Sequence, residues 1–289
     1  MSTASQSQII RGVNSRSWVT LSWAVGFALF AVPLVLQSLA LQTDQPGSPS
    51  ADAESTALMR RSTTLVLASL FVALATAGVL AISWNRVVRR IGNGGLATIA
   101  MIAGMQFTVA YAARMIGIVA GVVLGPYYLY IDGLGSKGIS CLLLGTLVTL
   151  LPLPGVLALV LATVFVLNAI TNGQLGLVSL LFIAVTIALH ELFAAVLGVT
   201  AGPARPAIRD MLGALPEVTW SFAIRVGLAI GLAQCVSLLA QYEMYKTLLR
   251  FDFDLSYKIS VSVITGLIYG GVGAACGAFL GGRLRKVAS

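Results

Sequence analysis

The chain has 289 residues, of which 58% are hydrophobic and only 10% charged, with a mean hydropathy of +0.94. Soluble domains carry about 25% charged residues, so this composition excludes a water-facing globular surface. The formal charge of +8 does not mark a nucleic-acid binder either, because the basic residues sit in small groups beside apolar runs, which is how insertion topology is encoded. The fold class that follows is all-α: a polytopic integral membrane bundle, since each apolar run is about 20 residues or longer rather than a short alternating strand. One transmembrane domain is expected over 1–289, with about six spans, a broken or re-entrant helical hairpin at 139–171 and no soluble domain.

Residues 1–17 are polar and carry Arg11 and Arg16 ahead of the first apolar run, 18–41. That run is longer than the roughly 7–15 residues of a signal-peptide core, so it reads as an uncleaved span. The loop at 42–59 is rich in Ser, Pro and Asp. A second span, 65–84, ends at the basic cluster Arg86, Arg89 and Arg90, which marks the cytoplasmic side. Gly92-Asn93-Gly94-Gly95 is expected to break the helix before a third span at 96–124, which ends at Tyr127, Tyr128 and Tyr130. After the hairpin come spans near 175–197, 220–239 and 259–280.

The uncharged stretch 139–171 is interrupted by Leu151-Pro152-Leu153-Pro154-Gly155. A single crossing would place the chain ends on opposite sides of the bilayer, and a turn at Pro152, Pro154 and Gly155 would place them on the same side. Charge chooses the turn. It puts ten basic residues inside against six outside, whereas the single crossing gives eight against eight, Arg114 and Arg225 being left out as intramembrane residues. The turn also gathers the four tryptophans toward the inner face and six tyrosines (127, 128, 130, 242, 245, 257) toward the outer one. The expected location is therefore the cell inner membrane, multi-pass, with both termini cytoplasmic. A single Pro-kinked helix is the alternative. Irregular backbone at membrane depth requires cover by protein or water, so the other spans are expected to surround the break.

Four ionisable residues fall within apolar runs: Arg114, His190, Glu191 and Arg225. Such charges are costly in a bilayer and usually face a partner or an aqueous cavity. Glu191 and Arg225 lie about 8–9 Å in from the same connecting loop, which suggests an ion pair across the hairpin, with His190 beside it. Arg114 lies about 15 Å from Leu124, too deep to snorkel. Its guanidinium suits an anionic headgroup or solute, or else the helix-end carbonyls of the break. Gly266-x-x-x-Gly270 and Gly273-x-x-x-Gly277-x-x-x-Gly281 place small residues in stripes on the last span, a pattern that serves close packing within the chain or with another membrane subunit.

No catalytic constellation is present. His190-Glu191 opens like a zincin motif, but the second histidine is missing. One histidine rules out a bis-histidine haem or a multi-histidine metal site, and the three cysteines, Cys141, Cys235 and Cys276, have neither metal-ligand nor CxxC spacing. The chain is read as a non-enzyme without cofactor or metal, whose partners are membrane lipids and, through the glycine-striped last helix, another membrane subunit. The function expected is a transport or lipid-handling component with a buried arginine near a broken helix; the alternative is a non-catalytic assembly factor or structural subunit of a larger membrane complex.

Overall fold

The structure is a computed structural model that describes residues 91–172, 177–200, 218–246 and 253–288. The expected spans at 18–41 and 65–84, with their loop and the basic cluster at 86–90, lie outside these residues. Every element among the described residues is helical: α1 (Ile91–Leu124), α2 (Tyr128–Asp132), α3 (Ile139–Leu150), α4 (Val156–Asn172), α5 (Leu177–Val196), α6 (Trp220–Met244), α7 (Leu255–Val261) and α8 (Gly270–Ala288). Four continuous helices are long and apolar enough to cross a bilayer: Ile91–Leu124, Gly133–Leu150, Trp220–Met244 and Leu255–Val287. Two shorter apolar helices, Val156–Thr171 and Leu181–Val196, accompany them.

Two local expectations change. The glycines at 92–95 do not break the helix before residue 96. The helix already runs from Ile91, and within the group Gly92 alone takes a positive φ, +64°. Glycine costs a helix about 1 kcal/mol per residue, less than leaving backbone groups unbonded at the edge of a bilayer. The hairpin's first arm is also longer than a half-span. A π-helical turn at Gly133–Gly138 runs straight into α3 and makes an 18-residue helix, Gly133–Leu150. A second π segment, Ser262–Tyr269, joins α7 to α8. The two π segments touch, with Gly133 lying so close against Thr265 that a Cβ at 133 would overlap the Thr265 side chain.

Helix ends follow local chemistry. The Thr219 hydroxyl accepts from the Phe222 amide (3.2 Å) and starts α6, and Asp254 accepts from the amides of Ser256 (3.0 Å) and Tyr257 (3.3 Å) to start α7. Gly125, at φ +56°, and the proline after it end α1.

The glycine stripes set the packing. Cβ atoms at Gly273, Gly277 and Gly281 would strike the carbonyls of Gly138, Leu142 and Thr146. The constant numerical offset between these partners shows that α3 and α8 run parallel and in step. Gly145 lies as closely against the Ala274 carbonyl, and the Thr146 hydroxyl donates across the contact to the Gly277 carbonyl (3.1 Å). On α6 the partners run in the opposite sense, Gly227 and Gly231 meeting Gly271 while Cys235 meets Gly266, so α6 is antiparallel to α8. The last span's glycines are thus occupied within the chain, and another subunit would have to use a different face.

Tyrosines gather at one end of this core. Tyr242 packs edge-on against Phe253 (5.2 Å) and Tyr257 (6.5 Å), and the Tyr130 hydroxyl lies 3.0 Å from that of Ser260. At the other end of α6, Trp220 packs edge-on against Phe279 (4.7 Å). α1 is covered least, and Met101, Met105, Met115, Val119 and Val122 are exposed along it.

Candidate functional site

Three groups of polar side chains interrupt this apolar architecture. The first is the break. α3 closes with the Leu151 amide bonded to the Leu147 carbonyl (2.7 Å), and α4 opens with the Leu159 amide on the Gly155 carbonyl (3.0 Å). Between them Pro152 and Pro154 supply no N–H, and Gly155 takes φ +90°, a conformation that side-chain-bearing residues avoid. The first turn of α4 then has amides with no helical acceptor. Glu191, from α5, reaches them: its Oε2 accepts from Gly155 N (3.0 Å) and its Oε1 from Ala158 N (2.9 Å), with the Leu157 amide also in reach. The carboxylate is 2% exposed and stands at the positive end of the α4 dipole. It is an N-cap supplied by a different helix.

The structure does not bring Glu191 to Arg225. Arg225 is exposed, its Nε donates to the Ser221 carbonyl (3.4 Å) and its guanidinium lies 5.9 Å from the centre of the Phe222 ring. The two helices pair in a register that sets His190 beside Gln234 and Arg225 beside Gly198, so Arg225 stands about two turns nearer the connecting loop than Glu191. Neighbours on a helix point about 100° apart, and on α5 it is His190 that faces α6, which turns Glu191 toward α4.

The second group centres on His190. Its Nδ1 lies 2.7 Å from the Thr186 carbonyl, an acceptor, so Nδ1 carries the proton; Nε2 then accepts from the Gln234 side-chain amide of α6 (3.3 Å). This neutral imidazole is 1% exposed. The Ser237 hydroxyl donates to the Gln234 carbonyl (3.1 Å). Cys141 of α3 is fully buried near the same point, its Sγ 3.3 Å from where a Gly270 Cβ would be, with Gln234 Cβ 3.8 Å from that position. The Thr186 hydroxyl is buried without a partner among the described residues, whereas the hydroxyls of Thr146, Thr149, Thr163 and Thr265 bond back to the preceding turn. Sequence reasoning missed Gln234. The signal available was an amide side chain inside an apolar run, where such a group needs a hydrogen-bond partner.

The third group contains Arg114, which is neither buried nor near the break. It is exposed on α1 and lines a cleft of about 270 Å³ together with Ala110, Gly117, Ile118, Tyr128 and Ser136. α1 is fastened to α3 near this level by Gln106, whose amide donates to the Ser140 carbonyl (2.9 Å). The cleft therefore sits beside the start of the Gly133–Leu150 helix, while the break follows its far end. Glu191 takes the place at the break that Arg114 was expected to take, and the groups it meets there are amides rather than carbonyls.

An ion pair that the sequence did not suggest lies under the tyrosine cluster, where the buried Lys258 ammonium is 3.7 Å from the Glu243 carboxylate. In comparisons with known proteins, no family model, no curated protein and no solved structure matches this chain.

These partners lead to an expected mutational pattern. Glu191→Gln replaces one acceptor oxygen with a donor that faces an amide, and should lower stability in mild detergent by about 1–3 kcal/mol. Arg225→Gln changes an exposed side chain and should stay within about 0.5 kcal/mol. The double variant should equal the sum of the two; rescue of Glu191→Gln by Arg225→Gln would restore the ion pair to the account.

Proposed function

We propose that this is a multi-pass protein of the cell inner membrane, crossing about six times besides the broken element at 139–171, and that it is a lipid-handling or transport component in which Arg114 receives the phosphate of an anionic lipid or solute. The observation that carries the reading is the place of Arg114: about 15 Å along α1 from its end at Leu124, exposed, in a cleft whose wall includes Tyr128 and Ser136. An unpaired guanidinium at such a depth costs several kcal/mol, and a phosphate offers it the planar two-point contact that suits its fork. The tyrosine and tryptophan ends of α6 support a transmembrane setting, since such residues favour the two interfaces. The charge balance supports both termini on the cytoplasmic side, which a reporter fused after Ser289 reads directly; a periplasmic signal would mean that the chain crosses once at 139–171.

A second reading, a non-catalytic assembly factor or structural subunit, draws on the exposed apolar face of α1, which suits a partner helix as well as lipid. Lipid content separates the two readings. Purified in mild detergent and measured by mass spectrometry, the wild type should retain anionic phospholipid in preference to zwitterionic. Arg114→Leu should lose that preference by roughly tenfold or more, as expected for a charge-assisted contact of ~1.5–3 kcal/mol, with its melting temperature unchanged. Arg114→Lys should fall between them. An identical lipid profile in all three proteins, with a protein partner lost from Arg114→Leu, would favour the assembly factor.

A further inference from the structure

We infer that α1 carries a path by which phospholipid headgroups cross the bilayer, with Arg114 as the contact at mid-depth and the acyl chains left outside in the lipid. This rests on the reading of Arg114 as a phosphate contact and gives that contact an activity, the exchange of phospholipid between leaflets.

The tyrosines that follow Leu124 mark an interface, and Arg114 lies about 15 Å from Leu124 along the helix. A hydrocarbon core is about 30 Å thick, so the guanidinium stands near its middle, where a passing phosphate meets its highest barrier. A site that only held a resting headgroup would lie at a face of the bilayer, where phosphates reside. Ala110, Arg114, Gly117 and Gly121 recur at helical spacing on one side of α1. Arg114 is the only large residue among them, so this side forms a shallow trough from mid-depth to the interface. Its deep part is the cleft, with Ser136 and Tyr128 on the wall. At the outer end Gly125 turns the chain at φ +56°, and the Tyr128 ring lies 3.6 Å from the place that a Gly121 Cβ would take. That ring borders the mouth of the trough. Toward the other face, Tyr111 and Thr108 continue from Arg114 at three-residue spacing, and both are exposed. Polar side chains therefore extend to both sides of the guanidinium. Met115, Val119 and Val122 are exposed on the same helix and offer the acyl chains an apolar surface. A trough open sideways to the bilayer fits a headgroup whose chains stay in lipid, whereas a free anion needs an enclosed aqueous passage.

The experiment places full-length protein in phosphatidylcholine vesicles with a trace of dye-labelled phosphatidylglycerol or, as a lipid without phosphate, dye-labelled glucosylceramide. Dithionite added outside bleaches only the dye it can reach. Influx of inorganic phosphate into the same vesicles and retention of anionic lipid by mass spectrometry are measured in parallel. In the wild type, bleaching of phosphatidylglycerol should continue beyond the outer-leaflet pool, while bleaching of glucosylceramide stops there. Arg114→Leu should slow the exchange by roughly tenfold or more, the loss of one charge-assisted contact, and Arg225→Gln should keep the wild-type rate. Gly121→Ile fills the trough between Arg114 and the interface; it should slow exchange with lipid retention unchanged, because narrowing a path alters rates and not affinity. Retained phosphatidylglycerol without exchange in the wild type would overturn the path while leaving the Arg114 site in place. Equal exchange in the wild type and Arg114→Leu would also overturn it, as would equal bleaching of both dyes or influx of phosphate, which would identify a passage for free anions. Absence of any anionic-lipid preference in the wild type would remove the Arg114 reading, and the path with it.

Discussion

A break between two helices that is buried in protein leaves backbone amides that water cannot reach, and each left unsatisfied costs about 1–3 kcal/mol. At Leu151–Gly155 the prolines reduce the problem by removing two donors, and Glu191 covers the amides that remain at the start of α4. The solution ties two elements together, because the cap belongs to α5 and the capped helix is α4. The carboxylate, both oxygens occupied by backbone amides, joins α5 to α4, and the neighbouring His190 joins α5 to α6 through Gln234.

Around this clamp the molecule divides into a close-packed part and a loosely covered part. α3, α6 and α8 approach to backbone contact through glycines, where dispersion and weak polar contacts replace the hydrophobic drive that a bilayer does not provide. Such a core has little room to deform. α1 by contrast is attached at points such as the Gln106–Ser140 contact and leaves a long apolar face open.

Much of the architecture was legible from the sequence because bilayer physics writes it in simple periods. The helical class, the interruption at 151–155, the last two spans and the glycine stripe follow from run length, proline and residue size, whereas the expected span at 175–197 is a helix whose apolar part, Leu181–Val196, is shorter than the four that can cross. The expected span at 220–239 is α6 with five more residues at its end, and the span at 259–280 is the core of Leu255–Val287. What stayed hidden depends on azimuth and on tertiary cover. Glu191 and Arg225 lie equally far from their connecting loop in sequence, yet the register of α5 on α6 sets His190 against Gln234 and leaves Arg225 beside Gly198. Arg114 looked buried because its own helix is apolar, but exposure is decided by what packs against α1. Neither π segment is marked as such in the sequence, Gly133–Gly138 reading as a glycine-rich loop and Ser262–Tyr269 as ordinary apolar helix, and Gly133 becomes meaningful only once Thr265 lies against it.

The central structural claim is that the Glu191 carboxylate holds the amides of the break. Hydrogen–deuterium exchange in nanodiscs, read on a peptide spanning 151–160, tests it directly. The amides of Gly155 and Ala158 should exchange slowly in the wild type and quickly in Glu191→Ala, with the exchange of 270–288 unchanged. Fast exchange at those amides in both proteins, or slow exchange in both, would contradict the account.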